Sequence, residues 1–257
     1  MNTTLEAIEV DVSHIITEDD TPVDNIFSEH QQRLLTESLN AHWRSPDGLP
    51  FLVAANIGVF YGMNLPPIVP DVFVSFGVSV SENVWEKRHR SYFVWEYSKP
   101  PEIVIKIVSN LDGGELGEKL SKYALAGASY YVVYDPAEHY GTPTLRVSGL
   151  LRGKKYEQLA TPNDTIIFDE YGIGVTLQHG DYGAIADKVW LRWCLPKATL
   201  FPQARKRKKN WNTSNHAPIV LKPAPNTLPH KFLRSASILN KRIRNKGKRQ
   251  NNAPITK

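Results

Sequence analysis

A single cysteine, Cys194, stands in the whole chain. An intrachain disulfide and a cysteine zinc cluster are therefore excluded, and a reducing, cytoplasmic setting is expected. Any metal has to be held by oxygen or imidazole ligands. Long apolar runs are missing as well. Nothing approaches the roughly 18 to 20 unbroken apolar residues of a membrane-spanning helix, so no transmembrane segment is expected. The first residues, MNTTLEAIEVDVSHIITEDD, lack a basic stretch followed by an apolar one, and neither a secretory signal nor a transit peptide is expected. Acidic residues are absent from position 201 onward, a stretch that holds fifteen of the 31 Lys and Arg. That segment carries +15, while the rest, with 16 basic against 26 acidic side chains, carries −10. An acidic folded body with a basic, solvated extension is implied, and such an extension can hold a polyanion.

What is present suits one folded domain. The 257 residues are 41% hydrophobic, enough to bury a core of up to about 200 residues plus an appendage. The predicted division is an N-terminal extension over 1–24, a domain over 25–196 and a basic disordered tail over 197–257. Past Pro196, scattered Pro and Asn and two Lys/Arg clusters leave few apolar contacts to offset ordering entropy.

Within the domain, Ser28 and Gln31 form a capping-box pattern ahead of Leu34, Leu35 and Leu39, which predicts a helix over about 28–42. Residues 51–61 read as one or two strands and 72–76 as another, with Pro70-Asp71 at its mouth. Over 102–108, Ile103, Ile105 and Ile107 share one face of a strand and Glu102, Val104, Lys106 and Val108 the other. A helix over about 115–126, closed by Gly127, then leads to a buried strand at 130–134. A strand, crossover helix and strand favour parallel pairing, so the order implies an α/β mixed sheet with helices packed on it. Segments near 144–150, 155–160 and 173–178 read as a β-meander, and the Trp-rich stretch 187–195 fits either a strand or a helix.

Asp71 opens one strand, residues 102 and 106 project from another, and the next helix carries Glu118 and Lys119. Carboxylates on adjacent strand ends suit Mg²⁺, a hard ion that takes oxygen ligands, and a nearby Lys can stabilise developing phosphate charge. His30, His89 and His139 have no metal-ligand spacing, Gly113-Gly114 lacks the Lys-Ser/Thr continuation of a phosphate-binding loop, and Trp85, Trp95, Trp190 and Trp193 are assigned no ligand role.

The runs FLVAANIGVFYG, PPIVPDVFVSFGV, RSYFVWEYSKPPEIVIKIVSN, GGELGEKLSKYALAGASYYVVYDP and WLRWC, in that order, resemble the Uma-two family of putative restriction endonucleases, within the PD-(D/E)xK nuclease superfamily. The resemblance implies a restriction-endonuclease-like fold, DNA as partner and Mg²⁺-dependent hydrolysis of phosphodiesters. It implies Asp71 as a metal ligand and Lys119 as the lysine that stabilises the charged transition state. Lys106 stands where the family carries its acidic metal ligand, so this chain departs from the pattern at one catalytic position. Glu102, four residues away and about 13 Å along the strand, is too distant to replace that ligand directly, while Glu118 and Asp112 are within possible reach. A nuclease that cuts both strands can act as a homodimer, but the sequence marks no interface.

Two functions stay open at this stage. One is a Mg²⁺-dependent endonuclease impaired at Lys106. The other is a non-catalytic nucleic-acid-binding or interaction protein that keeps the fold. Each site residue also has a plainer reading: Asp71 caps a loop, Lys106 is its salt-bridge partner, and Glu118 and Lys119 are solvated helix charges.

Overall fold

The computed structural model describes residues 11–12, 25–111, 114–151, 155–197 and 199–203. The N-terminal extension lies outside these residues except for Asp11 and Val12, and the basic segment from 204 onward lies outside them entirely. In chain order the elements are α1 (Ile26–His42), β1 (Phe51–Ala55), β2 (Val59–Phe60), β3 (Val72–Phe76), β4 (Tyr92–Phe93), α2 (Val94–Tyr97), β5 (Ile103–Ile107), α3 (Glu118–Ala126) and β6 (Tyr130–Tyr134). They continue with β7 (Leu145–Leu151), β8 (Lys155–Leu159), β9 (Thr165–Phe168), β10 (Ile173–Tyr182), β11 (Ile185–Leu195) and β12 (Thr199–Leu200). No helix among the described residues is long and apolar enough to cross a membrane.

The main sheet has six strands in the order β1-β3-β5-β6-β7-β8. Only β5 and β6 pair in parallel, because α3 carries the chain across between them; the other neighbours are antiparallel. A second antiparallel sheet runs β12-β11-β10-β9, and β2 and β4 form a short parallel pair.

Alternation along the central strands makes two apolar layers. Ile103, Ile105, Ile107, Val132, Tyr134, Leu145 and Val147 face one side, where they meet Leu35 and Leu39 of α1 and Phe168, Val175, Leu191 and Trp193 of the second sheet. On the other side, Phe73, Val104, Val108, Tyr131 and Val133 pack with Tyr92 and with Tyr123 and Ala126 of α3. The predicted mixed α/β sheet flanked by helices is therefore present.

Several local expectations change. Helix α1 starts at Ile26, and Asn25, not Ser28, is its cap: the Asn25 side chain accepts a hydrogen bond from Ser28 N at 2.8 Å. Asn offers the same acceptor as Ser at this position. Helix α3 starts at Glu118, so Glu115 lies in the turn before it; Gly127, at φ 92°, closes it as expected. The meander divides between sheets, with β7 and β8 extending the main sheet and β10 joining the second. The Trp-rich stretch is strand β11. It is tied to α1 by a polar clamp in which Gln31 both donates to Leu191 O and accepts from Leu191 N, at 2.8 and 3.0 Å, and Trp193 Nε1 donates to Leu35 O. Pairing continues past Pro196, where Cys194 meets Leu200 and Arg192 donates to the carbonyl of Phe201.

Candidate functional site

Strands β3 and β5 set the geometry. Val72 lies opposite Ile105, so the antiparallel register brings Asp71, just before β3, beside Lys106. Asp71 N donates to Ile105 O at 3.0 Å, which pins the backbone there. The Lys106 ammonium then lies 2.9 Å from Asp71 Oδ2, with the two side chains only 11% and 9% exposed. The same oxygen accepts Ile107 N at 2.6 Å, and Gln32 of α1 approaches Oδ1 at 3.5 Å. Lys106 Nζ has one further acceptor, Val69 O, at 3.4 Å.

A second carboxylate–lysine pair lies at the start of α3. Lys119 Nζ donates to Glu115 Oε1 at 2.8 Å, while the Tyr140 hydroxyl donates to Glu115 Oε2 at 3.0 Å. The Tyr131 hydroxyl donates to Glu115 O. Burial pushes the Glu115 carboxyl up, but the hydrogen bond and charge of Lys119, a backbone bond and the Tyr140 hydroxyl outweigh it and hold the group below the usual carboxylate range. Tyr131 stacks on Tyr123, with ring centroids 4.9 Å apart. Burial drives both phenols well above their ordinary value, and the charges of Asp71 and Glu115 push each in the same direction.

The structure pairs Lys106 with Asp71 and Lys119 with Glu115, and among the described residues no salt bridge joins Lys119 to Asp71. Glu118 points elsewhere and pairs with Lys122 on the helix surface. Glu102 is spent at the opposite end of β5, where it pairs with Lys99 and accepts Phe76 N. Glu118, open as a second acid on sequence grounds, therefore does not supply it, Glu102 stays at the far end of the strand as expected, and Asp112 lies outside the described residues. Glu115 was missed. Its signal is the i,i+4 spacing to Lys119, which reads as an ordinary surface pair unless the turn is known to bury it.

These residues do not suit Mg²⁺. A divalent ion about 2.1 Å from Asp71 Oδ2 would lie no more than about 5 Å from the Lys106 ammonium, since that nitrogen is 2.9 Å from the same oxygen. At an effective dielectric near 20, the repulsion is about 7 kcal/mol or more. Among the described residues, no group of three His, Cys, Asp or Glu could hold a metal ion.

Comparison with known proteins bears on what this arrangement belongs to. No curated protein matches the chain. A family match covers residues 8–178, a span that contains both carboxylate–lysine pairs and every strand of the main sheet. With well over half of its length matched and a mixed sheet flanked by helices, the chain belongs to the Uma-two family, described as putative restriction endonuclease and of the PD-(D/E)xK kind.

Proposed function

We propose that this protein is a PD-(D/E)xK-type member of its family that engages DNA but whose Mg²⁺ site is closed by Lys106. The observation that carries the reading is the buried contact of 2.9 Å between Lys106 Nζ and Asp71 Oδ2. An ammonium tethered to the strand already neutralises the one carboxylate expected to bind metal. Even a third of the repulsion above, about 2.3 kcal/mol, lowers metal affinity by more than tenfold. Asp71 and Lys106 then act as positioning residues that tie the mouth of β3 to β5. Lys119, held by Glu115, is left as a cation that can face a phosphate.

The test is calorimetric Mg²⁺ titration and plasmid cleavage with wild type, Lys106→Glu, and Lys106→Glu combined with Asp71→Ala. Lys106→Glu shifts the local charge by two units and returns an oxygen donor, so better Mg²⁺ binding and new or stronger cleavage are expected, both lost on adding Asp71→Ala. Efficient Mg²⁺-dependent cleavage by wild type would overturn the closed-site reading. A folded Lys106→Glu protein that binds and cuts no better than wild type would also overturn it.

A further inference from the structure

The ends of β3 and β5 far from Asp71 border a cleft that shares no residue with the closed metal site. Its volume is about 340 Å³, within the range of small-ligand sites. One wall is aromatic. Trp43, which caps the end of α1, lies tilted against Phe76 with ring centroids 5.3 Å apart, and Tyr171 stacks on Phe76 at 4.2 Å. Lys99, Glu102, Glu170 and Asp47 supply the charged lining. The turn after α1, closed by a bond from Gly48 N to Ser45 O at 2.9 Å, holds Asp47 on the exposed rim.

Trp43 is only 2% exposed, yet its indole N–H has no hydrogen-bond partner among the described residues. The indoles of Trp190 and Trp193, equally buried, donate to Gly180 O and Leu35 O. The fully enclosed polar side-chain atoms without a partner are Ser28 Oγ, Trp95 Nε1 and Arg146 Nη1 among the described residues. The Trp43 nitrogen is not one of them and so keeps accessible surface, and the cleft is the space that Trp43 lines.

The carboxylates differ in what they have left to offer. Both oxygens of Glu102 are taken, one by Lys99 and the other by Phe76 N at 2.9 Å. Glu170 Oε1 accepts the Tyr130 hydroxyl at 2.7 Å, and its Oε2 has no partner among the described residues. Asp47 Oδ1 accepts the Ser45 hydroxyl and Leu49 N, which leaves Oδ2 open.

Three carboxylates against one ammonium give the lining a charge of −2. The charged chain neighbours of these residues, Arg44 and Asp169, cancel. Burial drives the Tyr171 phenol up to about 12, and the charges of Glu102 and Glu170 push it in the same direction. A phosphodiester is repelled by this balance, whereas a cation is attracted and gains further from the aromatic wall. A guanidinium suits it better than an ammonium, because its planar fork presents several donors to separate carboxylate oxygens and packs flat on rings. The Trp43 N–H asks in addition for an acceptor, which the main-chain carbonyl of an arginine residue provides.

We propose that this cleft is a seat for arginine, its guanidinium held by Glu170 and Asp47 beside the aromatic wall and its main-chain carbonyl accepting the Trp43 indole N–H. The arginine can belong to a polypeptide or be the free amino acid, and the two share the chemistry recognised. The seat is independent of the DNA-binding reading, so either can fail alone.

The direct test uses the full wild-type chain. Nα-acetyl-arginine amide, its neutral isostere Nα-acetyl-citrulline amide, Nα-acetyl-lysine amide and free arginine are each titrated to millimolar concentration while the Trp43 indole N–H is followed by ¹⁵N NMR. A saturable shift is expected with the arginine amide, with citrulline at least about tenfold weaker for want of a charge-assisted hydrogen bond, and lysine in between. Tighter binding of the blocked residue assigns the seat to a polypeptide, and tighter binding of free arginine assigns it to the amino acid. Glu170→Gln is expected to weaken the arginine amide at least about tenfold, and Asp47→Asn, on the rim, by less. A silent Trp43 indole, citrulline or lysine binding as tightly as arginine, or unchanged affinity in the folded Glu170→Gln and Asp47→Asn proteins overturns the seat.

Discussion

Breaking the Asp71–Lys106 pair from each side should cost different amounts, and the difference follows from what each charge keeps. Lys106→Met retains the aliphatic stem and removes the ammonium. Asp71 is then left with Ile107 N at 2.6 Å and the distant Gln32 amide, so the carboxylate remains partly satisfied. Asp71→Asn instead leaves Lys106 with a neutral neighbour and Val69 O at 3.4 Å. Broken buried pairs cost about 3–5 kcal/mol; we expect about 3 for Lys106→Met and about 5 for Asp71→Asn. Removing both charges together strands neither, so the double variant should lose clearly less than the sum, with a coupling of about 2 kcal/mol or more. At about 2–4 °C per kcal/mol for a body of this size, Lys106→Met should lower the unfolding midpoint by about 6–12 °C. The assay is thermal and urea unfolding of the full chain followed by circular dichroism, with an unchanged urea slope as the check that only stability has moved. Single losses under about 1 kcal/mol, or an additive double variant, would refute the reasoning.

Acid should act through Glu115. Its folded carboxyl titrates below the usual value, so its stabilisation is complete above the ordinary glutamate pKa and is lost as pH falls through the lowered folded value. Glu115→Gln should flatten the fall of the urea midpoint in that acid window, and parallel curves for the two proteins would count against the pair. In the second sheet, a Cβ on Gly174 would sit well inside contact distance of Ile166 O of β9, a backbone atom that cannot turn aside. Gly174→Ala should cost about 1–3 kcal/mol by thermal unfolding, and an unchanged midpoint would show that β9 moves freely. Ending the chain at Gln203 keeps β12 and Phe201 but removes the basic segment. If that segment contacts about eight phosphates, the slope of log K against log salt should fall from about −7 toward zero; equal slopes would assign the nonspecific affinity to the body.

The central strands were legible because burial on both faces writes itself into composition. The runs 72–76 and 130–134 are apolar nearly throughout and coincide with β3 and β6. Alternation over 102–108 placed Lys106 on the face opposite Ile105, and the order of elements predicted the parallel β5–β6 pair. Gly127 was readable because a left-handed residue after an apolar helix face asks for glycine. Strand β11 was not, since a run such as Val189-Trp190-Leu191 has no periodicity that separates a buried strand from a helix. Glu115 was opaque for another reason. Its importance depends on the turn at 135–141, where Asp135 accepts the backbone N–H groups of His139 and Tyr140 and so delivers the Tyr140 hydroxyl to Glu115. That contact joins residues 25 positions apart, and no local pattern encodes it.

The clamp between α1 and β11 has a consequence for synthesis. Gln31 and Leu191 are 160 residues apart. At about 5–20 residues per second, the helix leaves the ribosome roughly 8 to 30 seconds before its partner strand exists. During that interval Leu35 and Leu39, which end up fully buried in one cluster with Leu191 and Trp193, have no β11 to cover them. A nascent chain of this protein should therefore depend on holding factors until its final strands emerge, and ribosome-bound chains halted before residue 191 should be far more open to proteases at α1 than chains halted after the second sheet has closed.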